Sequence, residues 1–172
     1  MEGENMIINA LICDDDNKCG AIIREYLLKY CEERNITCFY DLFDNGQKAL
    51  ESVTSYNIAF LDIEIGNISG LEIAKKLKEQ NKNIIIFFIT EYEKYIDDAM
   101  DLFALRFIKK PLDYQRFCSG LDKAVELIND ESIELFLKEV KNMFMITLKT
   151  KMAHIRLFLE LKNHYLLNLC LK

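Results

Sequence analysis

The chain has 172 residues, 51% of them apolar, enough for one sizeable core and part of a second. No run of about 18 apolar residues is present, which argues against a membrane-spanning helix, and the acidic start Met1-Glu2-Gly3-Glu4 is unlike a signal peptide. The net charge of -6 is uneven: residues 1–137 carry 15 Lys and Arg against 26 Asp and Glu, residues 138–172 seven against two. That split predicts two modules with different partners, the acidic one suited to a metal and the basic one able to face nucleic acid.

In chain order, Ile7–Cys13 is a short apolar run that ends in acids, and it predicts a buried strand. Asn17 to Arg34 carries Ile22, Ile23, Tyr26, Leu27 and Tyr30 on a helical stripe. Thr37–Phe43 predicts a strand and Gly46–Val53 a short helix opened near Asp44. Ile58–Leu61 is a strand, and Gly70–Gln80 a helix with Leu71, Ala74 and Leu77 on one face. Ile84–Ile89 is apolar throughout, as a strand covered on both faces should be. Tyr92–Leu102 predicts a helix and Leu105–Lys109 a strand stopped by Pro111. Asp113–Asn129 predicts a helix capped by Asp113, with Phe117, Leu121, Val125 and Ile128 along one face. Five strand–helix units imply an α/β fold: a five-stranded parallel sheet with helices on both faces and right-handed crossovers. The expected divisions are a first domain over 1–129, a linker or helix extension over 130–142, and a β-rich segment over 143–172.

Six cysteines contain no CxxC pair, and beside only two histidines they make neither a zinc pattern nor a disulfide framework. Reduced thiols in a cytoplasm are expected, with Cys13 and Cys38 as small core residues.

The chemistry lies at strand ends. Asp14, Asp15 and Asp16 follow the first strand, Asp62 ends the third, Thr90 ends the fourth and Lys110 the fifth. Each alone has a plain structural use: Asp16 as a helix cap, Asp62 as a turn residue, Thr90 as a β-branched terminus, Lys110 as a solvated end. In an open parallel sheet, however, groups at the carboxyl ends of strands share one rim. Carboxylates, a hydroxyl and an ammonium gathered there can hold a divalent cation, present an oxygen nucleophile and receive a phosphoryl group.

Over about residues 6–129 the sequence resembles the receiver domain of bacterial two-component response regulators, a flavodoxin-like fold. The Asp14-Asp15 pair, the Phe60-Leu61-Asp62 string, Phe88-Ile89-Thr90 and Lys109-Lys110-Pro111 match that family in order and spacing. The resemblance implies that Asp62 accepts a phosphoryl group from a sensor histidine kinase. It implies Mg2+ held by Asp15 directly, by Asp14 mainly through water, by Asp62, and by the backbone carbonyl of Glu64. Thr90 and Lys110 would each meet a phosphoryl oxygen. Phe107 would fill the switch position, where many relatives have tyrosine, so that phosphorylation biases a surface around 92–102 toward dimerisation or a partner. Two departures stand out: Gly66-Asn67 replaces a common Pro-Gly, and Glu91 stands where the family usually has a small residue.

The stretch 92–112, with Met145–Lys151 and Lys162–Leu167, resembles the subfamily whose DNA-binding effector is of the LytTR type. His164 falls near where some of those relatives touch DNA. The implied role is transcription regulation, with DNA a partner only of a complete effector; this chain holds a partial one. Specific DNA binding by this chain alone is therefore not expected. If ordered, the tail is instead expected to pair with itself as a hairpin or across two chains, burying Leu157, Leu159, Leu161 and Leu166 in a homodimer; if disordered, it is expected to be proteolysed, leaving a first domain that ends near residue 130. No membrane partner is expected. Two other readings stay open: a phosphorylation-independent interaction module whose pocket Glu91 blocks, and a phosphatase of the haloacid-dehalogenase type. The second keeps its nucleophile on the first strand and its acidic pair late, the reverse of the order here.

Overall fold

A computed structural model describes residues 6–52 and 54–130. The chain divides into units 1–128 and 129–172, and the fold below is that of the first. The readings of the β-rich segment, its leucines and His164 lie outside the described residues.

Among the described residues, seven strands and five α-helices follow one another: β1 (Ile7–Cys13), α1 (Asn17–Glu33), β2 (Thr37–Phe43), α2 (Gly46–Glu51), β3 (Ile58–Leu61), β4 (Glu64–Ile65), β5 (Ile68–Ser69), α3 (Gly70–Gln80), β6 (Ile85–Thr90), α4 (Ile96–Asp101), β7 (Arg106–Lys109) and α5 (114–130). Five of the strands form one parallel sheet in the order β2-β1-β3-β6-β7, and β4 and β5 form a small antiparallel hairpin. The order reverses direction between β1 and β3, where an open α/β sheet leaves a crevice at its carboxyl edge.

Strand alternation sorts the core into two layers. Ile8, Ala10 and Ile12 of β1, Phe60 of β3 and Phe87 and Ile89 of β6 pack with Ile23, Leu27 and Tyr30 of α1 and Phe117 and Leu121 of α5. Leu11, Cys13, Ala59, Leu61, Ile86 and Phe88 point the other way, onto Ala49 of α2, Ile73, Ala74 and Leu77 of α3 and Ala99 of α4. β6 is buried along its whole length because both layers cover it. Phe60 lies between the Phe87 and Phe117 rings, with centroids 5.0 and 5.2 Å away; this tilted aromatic contact joins the sheet to α5.

The sequence expectations shift in five places. Ile22, expected on the buried stripe of α1, is exposed, since the stripe runs through Ile23, Leu27 and Tyr30. Cys38 is half-buried rather than fully in the core, because β2 is an edge strand. α2 ends at Glu51 and is capped by Asn45, whose Oδ1 accepts from the amides of Gln47 (2.8 Å) and Lys48 (3.3 Å); Asp44 pairs instead with the Lys48 ammonium at 2.9 Å. The sheet strand after α3 starts at Ile85, because the Ile84 amide closes a turn onto Asn81 O. The helix expected over 92–102 is a 3-10 turn at Glu93–Tyr95 followed by α4, and no side chain caps either start. The β4–β5 hairpin was not anticipated, although its signal is present: Gly66-Asn67 between Ile65 and Ile68, with Gly66 at φ 55°.

Candidate functional site: a carboxylate pocket at the sheet's carboxyl edge

The backbone ladder carries the strand-end residues into place. The Asp14 amide donates to Phe43 O (3.1 Å), the Asp62 amide to Cys13 O (2.9 Å) and the Lys110 amide to Thr90 O (2.9 Å). Each functional residue is thus at the very end of a strand pair, still held by the sheet while its side chain leaves it. Asp16 caps α1, its Oδ1 accepting from the Lys18 amide at 2.9 Å. Ser69 caps α3 in a reciprocal box with Glu72.

Among the described residues, three polar side chains are buried: Asp14 (1% exposed), Asp62 (7%) and Thr90 (0%). Burial of carboxylates demands partners. The Lys110 ammonium supplies them, 2.6 Å from Asp62 Oδ2 and 2.9 Å from Asp14 Oδ2. The other Asp62 oxygen accepts from the Ile63 amide at 2.6 Å. Thr90 Oγ1 accepts from the Tyr92 amide at 3.4 Å. Asp15 is exposed at the mouth.

Burial is the largest influence on Asp14 and raises its carboxyl above the usual range, although the neighbouring Cys19 thiol and Lys110 ammonium pull the other way. For Lys110 burial acts downward, but the hydrogen bond to Asp62 and the adjacent Asp14 and Asp62 carboxylates together outweigh it and hold the ammonium above its ordinary value. The stability from Lys110 is therefore fully present below its unfolded value of about 10.4 and is lost only as pH rises through the raised one.

Asp14, Asp15 and Asp62 each offer an oxygen within 4.8 Å of the others. Three carboxylates against one ammonium leave the cluster negative. Asp14 Oδ2, though close to the Lys110 nitrogen, accepts no directed hydrogen bond and is shielded from solvent. A buried carboxylate oxygen with an open lone pair, beside two more carboxylates, is a donor set for a hard divalent cation.

Three features of the site were not read from the sequence. Gly70 packs directly on the Asp62 backbone: a Cβ there would lie 1.8 Å from Asp62 O. Glu64 is tethered to the segment after Thr90, its Oε1 accepting from Tyr95 Oη (3.2 Å) and lying 3.4 Å from the Lys94 ammonium. Cys19, on the first turn of α1, is buried, and burial followed by the neighbouring Asp14 pushes its thiol up to about 12. The Glu64 tether joins segments 31 residues apart in sequence. Phe107 is half-buried, paired in register with Phe88, and borders a cavity of about 510 Å³ with Ile96, Ala99, Met100 and Arg116. Glu91 is exposed and forms no hydrogen bond or ion pair with Asp14, Asp62 or Lys110.

The response regulator receiver domain family matches residues 10–122. The chain belongs to that family. This receiver is 29% identical over 132 residues to the sensory transduction protein LytT of Oceanobacillus iheyensis, covering 74% of the chain and 52% of that relative. It spans about half the length of the LytT proteins it matches. Among solved structures, the receiver domain of the response regulator AraT from Geobacillus stearothermophilus superposes with a TM-score of 0.63 at 28% identity, covering 74% of this chain and 99% of that one. Response regulator TrrA of Thermotoga maritima, solved with Mg2+ and beryllofluoride, gives a TM-score of 0.59 at 25% identity, over 68% and 98% of the two chains. The fold class expected from the sequence is thus the one found, and the receiver is a signalling domain of two-component response regulators.

Proposed function

We propose that this receiver takes a phosphoryl group onto Asp62 from the imidazole of a sensor histidine kinase in the cytoplasm, and that the modified receiver regulates transcription through a LytTR-type effector. The observation that carries the reading is the position of Asp62: buried, with one oxygen on a backbone amide, the other on Lys110, and two further carboxylates beside it. Asp62 is the oxygen nucleophile; the phosphorus–nitrogen bond breaks as the new phosphorus–oxygen bond forms. Lys110 then has a phosphoryl oxygen in place of a carboxylate oxygen to pair with. The Thr90 hydroxyl, held among the described residues only by a long contact from the Tyr92 amide, is free to turn toward another. Catalysis on this reading is positioning and charge neutralisation.

Mg2+ fits the donor set, with Asp15, Asp14, Asp62 and the Glu64 carbonyl as its holders. When bound it would neutralise the acyl phosphate and the transferred oxygens. Addition of Mg2+ is expected to raise the melting temperature, by the equivalent of about 2.7 kcal/mol at a hundredfold excess over its dissociation constant. Asp15→Asn should shrink that shift. Lowering the pH should shrink it too, because the raised Asp14 carboxyl takes a proton that competes with the cation. A shift that is unchanged by either would remove these residues from the cation's ligands.

The acyl phosphate adds roughly -1.5 to -2 charge at pH 7. Movement of Thr90 toward it would open space for Phe107, whose neighbouring cavity lies under the exposed Ile96 and Met100 of α4. That face is where a homodimer or partner would dock.

The blocked-pocket reading asks Glu91 to occupy the site, and its exposed side chain does not support it. A carboxylate within about 6 Å of an incoming dianion still costs on the order of 1 kcal/mol in a partly solvated pocket. Glu91→Ala is therefore expected to speed labelling by small phosphodonors several-fold. An unchanged or slower rate would show that Glu91 does not face the donor's path. The deciding experiment for the function is the intact mass of the chain before and after acetyl phosphate with Mg2+: one phosphoryl adduct is expected, and none would favour the interaction module.

A further inference from the structure

Among the described residues the parallel sheet has two edge strands, and they are built differently. β7 is four residues long, exposes Arg106 and Lys109, and is followed within two residues by Pro111. Charge on an edge and a proline beside it keep a strand from pairing with another chain. β2 lacks both devices. It is seven residues long, pairs with β1 residue for residue without a bulge, and contains no Lys, Arg or Pro. Its one charged side chain, Asp41, accepts from Tyr56 Oη at 2.6 Å. Phe39 is 60% exposed, and Tyr40 and Leu42 are exposed beside it.

The backbone of β2 divides by alternation. The Thr37 amide donates to Met6 O at 3.0 Å, and Phe43 O accepts from the Asp14 amide at 3.1 Å, so the odd-numbered residues turn their polar groups toward β1. Cys38, Tyr40 and Leu42 therefore turn theirs outward, where no described strand meets them. These three are symmetric about Tyr40. When β2 is laid antiparallel on its own copy with Tyr40 opposite Tyr40, Cys38 falls opposite Leu42, and the facing pairs exchange both of their N–H···O bonds. Any other register pairs fewer of these outward groups.

We propose that β2 pairs antiparallel with β2 of a second copy of this chain, about a twofold axis at Tyr40, so that two sheets become one. The contact is separate from the carboxylate pocket, from its proposed role and from the face of α4. It is isologous. On one side of the joined sheet Tyr40 meets Tyr40 and Leu42 meets Cys38. On the other, each Phe39 stands opposite Asp41 of the second copy in a non-hydrogen-bonded pair, where side chains come closest. Residues 1–137 carry 15 Lys and Arg against 26 Asp and Glu, so two copies repel in general; β2 brings only one carboxylate per copy to the contact. A strand of seven residues is about 24 Å long. Pairing it with its copy buries roughly 1,000 Å², the low end of specific interfaces, which suits a reversible dimer. The antiparallel arrangement sets the two carboxylate pockets at opposite ends of the contact.

The test is sedimentation equilibrium of the full chain, without phosphodonor, across the micromolar range. A monomer–dimer equilibrium is expected. Phe39→Glu sets an acid opposite Asp41 of the second copy and should weaken the dimer by at least about tenfold, whereas Phe39→Lys sets a base there and should keep it. Met100→Lys, on the exposed face of α4, should also keep it. Tyr40→Cys in a Cys38→Ser background reads the register directly. Hydrogen-bonded partners have Cα atoms about 5.5 Å apart, within disulfide reach. Mild oxidation should therefore join two copies through position 40, and trypsin should release peptide 35–48 linked to itself. A monomer throughout, a dimer lost in Met100→Lys but not in Phe39→Glu, equal loss in Phe39→Glu and Phe39→Lys, or no link at position 40 would overturn the inference.

Discussion

Asp62→Asn is expected to abolish phosphoryl labelling by acetyl phosphate while leaving the fold in place. Asparagine is nearly isosteric, so Oδ1 can still accept from the Ile63 amide, now 2.6 Å away. What is lost is the anionic oxygen that makes the bond to phosphorus. A neutral amide oxygen is so poor a nucleophile that the rate should fall by at least about a thousandfold, below detection. The stability effect is smaller because two terms oppose. A charge-assisted hydrogen bond to Lys110, worth about 1.5–3 kcal/mol, is weakened. Repulsion between Asp62 and the neighbouring Asp14 is removed, and Lys110 keeps Asp14 at 2.9 Å. The net change should stay within about 2 kcal/mol. Intact mass with a thermal melt checks both. Labelling of the variant at the wild-type level would move the phosphoacceptor elsewhere.

Gly70→Ala is expected to be the most destabilising single methyl in the domain. The new Cβ would lie 1.8 Å from Asp62 O, 2.9 Å from its carbonyl carbon and 3.1 Å from Ile63 Cα. All three are backbone atoms, so no rotamer change relieves the clash. The first turn of α3 must back away by more than 1 Å, and the 2.8 Å bond from the Gly70 amide to Ile63 O goes with it. Overpacking commonly costs 1–3 kcal/mol, and a backbone-on-backbone clash belongs at or above the top of that range. A loss of roughly 3 kcal/mol or more lowers the melting temperature by about 10 °C or more for a domain of this size. Gly46 provides the contrast. A Cβ there meets only side-chain atoms of Ile68 and Ile73 at 3.1 Å and beyond, so Gly46→Ala should cost far less. The two melts, compared, test the argument; similar values for both variants would refute it. Because the clash falls on Asp62 itself, the folded fraction of Gly70→Ala should also label slowly.

Much of this protein was legible in one dimension, and the reason is physical. A strand buried on both faces must be apolar along its length, so β6 announces itself as Ile84–Ile89. Its end is equally visible, because the first polar residue after such a run is the first to leave the sheet. That is why Asp14, Asp62, Thr90 and Lys110 could be placed on one rim without knowing any distance. Helix starts were legible where the capping residue is local, as with Asp16 and Asp113. The 92–102 segment was misread as one helix because its conformation is not set locally: it has no cap, and Tyr95 and Lys94 are drawn to Glu64 across the pocket.

The sequence by itself determined the element order, the parallel sheet and which four strand ends put polar side chains on one rim. Only the tertiary structure decided how those ends meet. It buried Asp14 while leaving its neighbour Asp15 exposed, paired one ammonium with two carboxylates, one of them 48 residues away, left Asp14 Oδ2 without a directed partner, and made Gly70 part of the Asp62 site. The division follows from range: hydrophobic period and capping act over a few neighbouring residues, whereas burial, ion pairing and close backbone approach depend on which strands lie side by side and in what register.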